Sequence, residues 1–245
     1  MTTNLLPNLI LNARANTISD FEGLDSLQHC VDKNHFISYP YKVVYEYNSR
    51  GFRDNEWPDT MDNLREAIWC LGDSFTVGLG SPVEHTWPRC LQSLSSKRII
   101  NISMNGASNM WISRRAIDII QGIKPKTIIL HWSYLHRRES TVDTSVDDEQ
   151  RRMHTSGTES TAEDDIENVV ECVLNVEKNK NNTNVIHSFI PNPCAADIMH
   201  RFKQRINDLP ISSIGIVGRI DQARDGCHYG LLTATKISNQ LSLII

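Results

Sequence analysis

The stretch Ala67-Ile68-Trp69-Cys70-Leu71-Gly72-Asp73-Ser74-Phe75 decides how this chain is read. Its first five residues are apolar without interruption, the pattern of a strand buried on both faces of a parallel sheet. Gly72 ends the run, and Thr76-Val77-Gly78-Leu79-Gly80 reads as a turn. Asp73 is expected to bond backbone groups within that turn. Ser74 then stands at the carboxyl end of a buried strand, where open α/β sheets place their ligands.

Working outward, short runs rich in Ile, Val and Leu recur at residues 98–103, 127–130, 184–190 and 213–217. With 67–71 they make five strand candidates. Between them lie segments with apolar residues at helical spacing: 87–95, 110–121, 166–176, 195–206 and 231–245. The alternation predicts an α/β fold with a central, mostly parallel five-stranded sheet covered on both faces by helices. Residues 1–60 lack this rhythm. They carry Tyr39-Pro40-Tyr41 and then Asn48-Ser49-Arg50-Gly51-Phe52-Arg53-Asp54, with Gly51 marking a turn. We expect an N-terminal extension packed on a main domain of residues 61–245. Residues 139–165 are polar, acidic and rich in Ser and Thr. They are too long for an ordinary connection. A surface insertion is the favoured reading; a lid is the alternative, because the segment leaves the carboxyl end of the third strand.

Bulk properties narrow the function. The chain has 245 residues, 40% of them hydrophobic and 22% charged, enough for one large domain with a sizeable core. A net charge of -4 argues against a nucleic-acid partner, since phosphate neutralisation needs clustered Lys and Arg. No apolar stretch reaches the length of a membrane span, and residues 1–10 have neither a positive charge nor a clean apolar block. No membrane association and a cytoplasmic location are therefore expected. Cysteines 30, 70, 90, 172, 194 and 227 are scattered, with no Cys-x-x-Cys, so reduced thiols are expected rather than a zinc site. Gly78-Leu79-Gly80 lacks the third glycine of a dinucleotide fingerprint and the lysine of a P-loop. No metal or cofactor is expected. The sequence does not speak to oligomeric state.

A second motif, Asp225-Gly226-Cys227-His228, follows the last strand and precedes the last helix. A serine hydroxyl is a poor nucleophile until a base takes its proton, and the base needs a partner that fixes its tautomer. His228 and Asp225, three residues apart on one loop, supply both for Ser74. Each fragment alone has a plainer reading: a turn for Gly-Asp-Ser, and a helix-capping loop for Asp-x-x-His. His131, at the end of the third strand, reads as a partly buried histidine with its bonds satisfied. His85, Trp87 and Pro88 read as packing residues.

The sequence resembles the SGNH hydrolases, the GDSL-type esterases and lipases, from about residue 45 onward. The first family block matches Gly72-Asp73-Ser74-Phe75. The second fits Asn101-Ile102-Ser103-Met104-Asn105-Gly106, and the last fits Asp225-Gly226-Cys227-His228. Asn48-Ser49-Arg50-Gly51-Phe52-Arg53 looks like a leader found in one branch. The resemblance implies a flavodoxin-like αβα sandwich and a serine esterase acting on small acyl esters or acetylated glycans. By it, Ser74 attacks the ester, His228 is base and then acid, Asp225 orients His228, and the backbone N–H groups of Ser74 and Gly106 form an oxyanion hole. The family adds an Asn side chain from a Gly-x-Asn-Asp block after the third strand. Here the strand continues His131-Trp132-Ser133-Tyr134-Leu135-His136-Arg137, without an Asn. Ser133 and Tyr134 are the replacement donors to test, with Asn105 and Asn109 as alternatives from the second block; otherwise Trp132-Ser133-Tyr134 is a pocket wall. That departure keeps two other readings open: a catalytically impaired module that binds a glycan or a protein, and an O-acyltransferase.

Overall fold

The computed structural model describes residues 9–139, 161–191 and 196–245. An antiparallel ribbon of β1 (Ile18–Ser19) and β2 (Tyr45–Glu46) encloses α1 (Lys33–Ser38). After α2 (Met61–Glu66) the expected alternation begins. It runs β3 (Ile68–Gly72), α3 (Ser74–Val77), α4 (Trp87–Ser95), β4 (Ile99–Asn101), α5 (Asn109–Gly122) and β5 (Thr127–Trp132). It continues through α6 (Ala162–Asn179), β6 (Asn184–Phe189), α7 (Ala196–Asn207), β7 (Ser212–Ile216) and α8 (Leu231–Ser242).

The five strands β3 to β7 form one sheet in the order β4-β3-β5-β6-β7, with every pairing parallel. The chain moves outward from β3 to β4, then returns past β3 to β5. The resulting switch point opens a crevice at the carboxyl ends of β3 and β5. Gly72 pairs with His131 there, so the segments leaving the two strands emerge side by side.

Side chains alternate across the sheet. Trp69, Leu71, Ile128, Leu130 and Trp132 enter one core with the buried faces of α5 and α6. Ile68, Cys70, Ile129 and Ile186 enter a second core with α4 and α8. This is the three-layer αβα sandwich. Leu9, Leu11, Phe52 and Trp57 from the N-terminal region join the first core, where Trp57 meets Trp69 edge-on at a ring separation of 5.0 Å.

Three boundaries differ from the sequence reading, each for a local reason. β5 runs on to Trp132 because His131 and Trp132 find partners in Ser188 and Phe189 on β6. β4 stops at Asn101, whose side-chain oxygen accepts the Ser103 N–H at 3.1 Å and turns the chain. Residues 162–165, assigned above to the polar insertion, are the first turn of α6. Thr161 and Asp164 close a reciprocal capping box there, so the acidic run belongs to a helix N-terminus. Residues 140–160 of that insertion lie outside the described residues, and the lid reading with them. No helix among the described residues is long and apolar enough to cross a membrane.

Candidate active site

Ser74 owes its position to Asp73. The Asp73 carboxylate accepts the Phe75 N–H at 3.0 Å and caps α3, a single helical turn closed by Gly78 in the left-handed region. Ser74 is the first residue of that turn, so its own N–H has no intrahelical acceptor. Met104 N–H donates to Gly72 O at 3.2 Å, which lays the loop after β4 along the end of β3 and brings Asn105 and Gly106 to the same crevice. Among the described residues, no protein acceptor engages the N–H of Ser74 or of Gly106.

The loop after β7 crosses back over the sheet to reach Ser74. Arg224 N–H donates to Gly80 O at 2.8 Å, and the Ser81 hydroxyl donates to Tyr229 O at 3.0 Å. Gly80 makes this docking sterically feasible: its φ is +73°, and a Cβ there would lie 2.8 Å from Ala223 Cβ and 3.1 Å from Asp225 Cγ. Gly80 is thus explained by loop contact, and Gly78 by its left-handed cap of α3, where a Cβ would clash with Thr86 Cγ2. The helix-capping alternative for Asp225 fails on geometry, because Asp221 accepts the N–H groups of Leu232 and Thr233 at the start of α8.

Asp225 instead faces His228. One carboxylate oxygen accepts the N–H groups of Cys227 at 2.9 Å and His228 at 3.0 Å; the other accepts from His228 Nδ1. Burial pushes the Asp225 carboxyl up, but the hydrogen bonds and charge of His228 and these two N–H groups outweigh it and hold the group below its usual range. An ionised Asp225 fixes the proton on Nδ1 and leaves the Nε2 lone pair exposed to Ser74. Nε2 lies 2.8 Å from Ser74 Oγ. Ser74 is 2% and His228 3% exposed, so little water competes for this contact. Cys227 sits between Asp225 and His228, but burial raises its pKa and keeps the thiol protonated.

A clamp that the sequence reading did not assign holds the other end of α3. The Arg53 guanidinium donates to Val77 O at 3.3 Å, Gly78 O at 2.6 Å, Val44 O at 2.8 Å and Ser81 O at 2.8 Å. Asn101 Nδ2 donates to Thr76 O at 3.1 Å. Asp54 accepts Asn101 N–H at 3.1 Å and pairs with Arg98 at 2.7 Å and Arg89 at 2.9 Å. The three carbonyls that end the nucleophile helix are therefore all occupied, with a cation at the negative end of the turn. The signal lay in Asn48 to Asp54, a polar stretch too specific in composition for an ordinary connection.

Three of the four candidate replacement donors, Ser133, Asn105 and Asn109, spend their donors on protein groups. Ser133 is one candidate for the missing oxyanion donor. Its hydroxyl instead donates to Asp73 Oδ2 at 2.5 Å, so its one proton is committed inside the turn. Asn109 accepts Ser133 N–H at 2.9 Å and donates to Tyr134 O at 3.0 Å, which pins this loop to α5. Asn105 donates to Glu22 Oε1 at 3.2 Å. The Tyr134 ring packs edge-on against Phe75 and stacks on His136. His131 is fully rather than partly buried. It contacts Ser188 Oγ at 3.0 Å and Tyr229 Oη at 3.3 Å, and burial pulls its pKa down to about 4. Beside these residues lies a cavity of about 300 Å³ lined by Phe75, Tyr134, Ile190, Pro191, Arg219 and Tyr229. Phe75 also touches the His228 ring at a centroid separation of 4.6 Å, one ring away from the base. Among the described residues, no cluster of three or more His, Cys, Asp or Glu is gathered for a metal ion.

Solved structures share this architecture. A protein of the G-D-S-L lipolytic family from Desulfitobacterium hafniense DCB-2 superposes with a TM-score of 0.52 at 14% identity, covering 74% of this chain and 99% of its own. The fold is SGNH hydrolase-like. TesA superposes on it with a TM-score of 0.51 at 14% identity, covering 71% of this chain and 95% of its own. No protein-family model and no curated protein matches the sequence. At these identities the SGNH-like likeness is one of fold, and what the site does has to be argued from its own atoms.

Proposed function

We propose that this protein is a serine ester hydrolase acting on small acyl esters, with O-acetyl groups of carbohydrates as the substrate class. The observation that carries the reading is the 2.8 Å contact between His228 Nε2 and Ser74 Oγ, backed by an ionised Asp225 on the far side of the ring. In this mechanism His228 takes the hydroxyl proton as Ser74 Oγ attacks the ester carbonyl carbon. The carbonyl oxygen becomes an oxyanion, received by the N–H groups of Ser74 and Gly106. Collapse breaks the bond to the alcohol oxygen, which leaves with the proton held on His228. Water then enters, gives a proton to His228 and attacks the acyl carbon; collapse breaks the bond to Ser74 Oγ, which takes that proton back from His228 as the carboxylic acid leaves.

Two backbone donors serve the oxyanion in this scheme, because Ser133 is turned to Asp73, and the Tyr134 hydroxyl is the side-chain candidate left for the third place. Loss of one such donor costs on the order of a hundred- to a thousandfold in rate. Turnover is therefore expected to be measurable but modest on simple esters. Hydrolysis of 4-nitrophenyl acetate, compared between wild type and Ser74→Ala, tests the reading. A rate that depends on Ser74 supports it, and equal rates in the two proteins refute it.

A further inference from the structure

We infer that this site selects esters that also carry an anionic oxyacid group, and that Arg137 and Arg219 receive that group at the mouth of the Phe75–Tyr134 cavity. The inference rests on the ester-hydrolase reading of the same site. Arg137 follows β5 on the loop that carries Ser133 and Tyr134, and it is only partly exposed, at 24% of its side chain. A half-buried guanidinium normally spends its donors on protein acceptors. This one does not. Its Nη1 is buried without a hydrogen-bond partner, and its nearest carboxylate oxygen, Asp73 Oδ2, is 3.8 Å away and already holds the Ser133 hydroxyl. The Arg137 guanidinium lies over the Tyr134 ring, 5.7 Å from its centroid.

Arg219 approaches from the other wall. It lines the cavity, is exposed, and spends one donor on Cys227 O. Both arginines are within electrostatic reach of the Tyr134 hydroxyl. Among the described residues, neither has a carboxylate within hydrogen-bonding distance, and no acidic side chain lines the cavity. The wall is otherwise aromatic and aliphatic, so Arg219 faces an apolar pocket one ring from His228, and Arg137 stands beside that pocket over the Tyr134 ring rather than in its lining. Planar, paired N–H donors match carboxylate, sulfate and phosphate geometry. A neutral acetyl ester would leave them unmet; an ester with an acid on its acyl or alcohol part would meet them.

Charge on the two sides of the ester is separated by two substrate pairs. One compares 4-nitrophenyl hemisuccinate with 4-nitrophenyl pentanoate, and the other compares 3-acetoxybenzoate with phenyl acetate. In at least one pair, kcat/KM is expected to favour the anion by about tenfold at low salt, as a charge-assisted hydrogen bond provides, and the preference should shrink in 0.5 M NaCl. Arg137→Gln and Arg219→Gln should lower KM discrimination, losing more on the anionic member than on the neutral one. Equal or reversed preference in both pairs, or equal losses in the variants, overturns the inference while leaving ester hydrolysis standing. If wild type turns over none of the four, hydrolysis has failed by itself. Calorimetric binding of monomethyl succinate to wild type and Arg137→Gln then decides: binding lost in the variant supports the anion site, and no binding to wild type refutes it.

Discussion

The two sides of the crevice are built on different principles. On the β3 side the groups that hold the nucleophile in place are spent on other protein groups, Asp73 on Phe75, the α3 carbonyls on Arg53 and Asn101, and Asp225 on His228, while the Ser74 N–H is left open. On the β5 side the loop is pinned from beneath by Asn109 and Ser133, while Arg137 and Arg219 keep donors in reserve. A saturated network fixes geometry. Unspent donors on a rigid loop offer recognition. The difference teaches where to look for catalysis in this molecule and where to look for choice of substrate.

The largest effects should come from the saturated side. Ser74→Ala and His228→Ala should each lower kcat by about ten-thousandfold or more while thermal melts stay close to wild type. Asp225→Asn should cost about a thousand- to ten-thousandfold, because the amide no longer fixes the Nδ1 proton. Arg53→Met strips the carbonyls that end α3 of their donor. We expect a loss of about 2–4 kcal/mol, read as a melting point lower by roughly 10 °C, and a fall in kcat with KM little changed. Arg53→Lys should restore part of the kcat.

A pH effect comes next. His131 has a folded pKa of about 4 and a usual unfolded value near 6.5, so between those values the unfolded chain binds the proton and the native one does not. Stability is thus fully present above pH 6.5 and falls as pH drops toward 4, by up to about 3 kcal/mol. Urea melts at pH 7 and pH 5 should show the decrease, and His131→Gln should flatten it. A His131 variant with the same pH dependence would place the effect elsewhere.

The smallest effect sharpens the comparison most. Ser133→Ala should cost about 1 kcal/mol in stability and less than tenfold in kcat, as expected when a buried carboxylate loses one of its donors. A fall of a hundredfold or more would instead give Ser133 the oxyanion role that its contact with Asp73 denies it.

Much of this was legible in the sequence. Uninterrupted apolar runs at residues 67–71 and 127–130 specify buried parallel strands, and their alternation with helical periods leaves few topologies. Ser74, Asp225 and His228 were readable because the chemistry demands those residue types and a single loop carries two of them. The Arg53 clamp was marked only by the composition of Asn48 to Asp54, and its role was not legible, because its acceptors are backbone carbonyls, which every residue has and no sequence marks. The fate of Ser133 was hidden for a related reason. Its hydroxyl faced a choice between substrate and Asp73, and only the pairing of Gly72 with His131 brings the carboxylate within reach. Arg137 stood five residues beyond the strand in plain view, but a guanidinium nitrogen buried without a hydrogen-bond partner is recognisable only once its surroundings are known.

The central claim is that His228 activates Ser74 as a nucleophile. Incubation with a 4-nitrophenyl alkylphosphonate followed by intact-mass measurement and peptide mapping tests it directly. The account predicts one phosphonyl adduct per chain, on Ser74, formed far more slowly in His228→Ala. An adduct elsewhere, or none while esters are still hydrolysed, would contradict it.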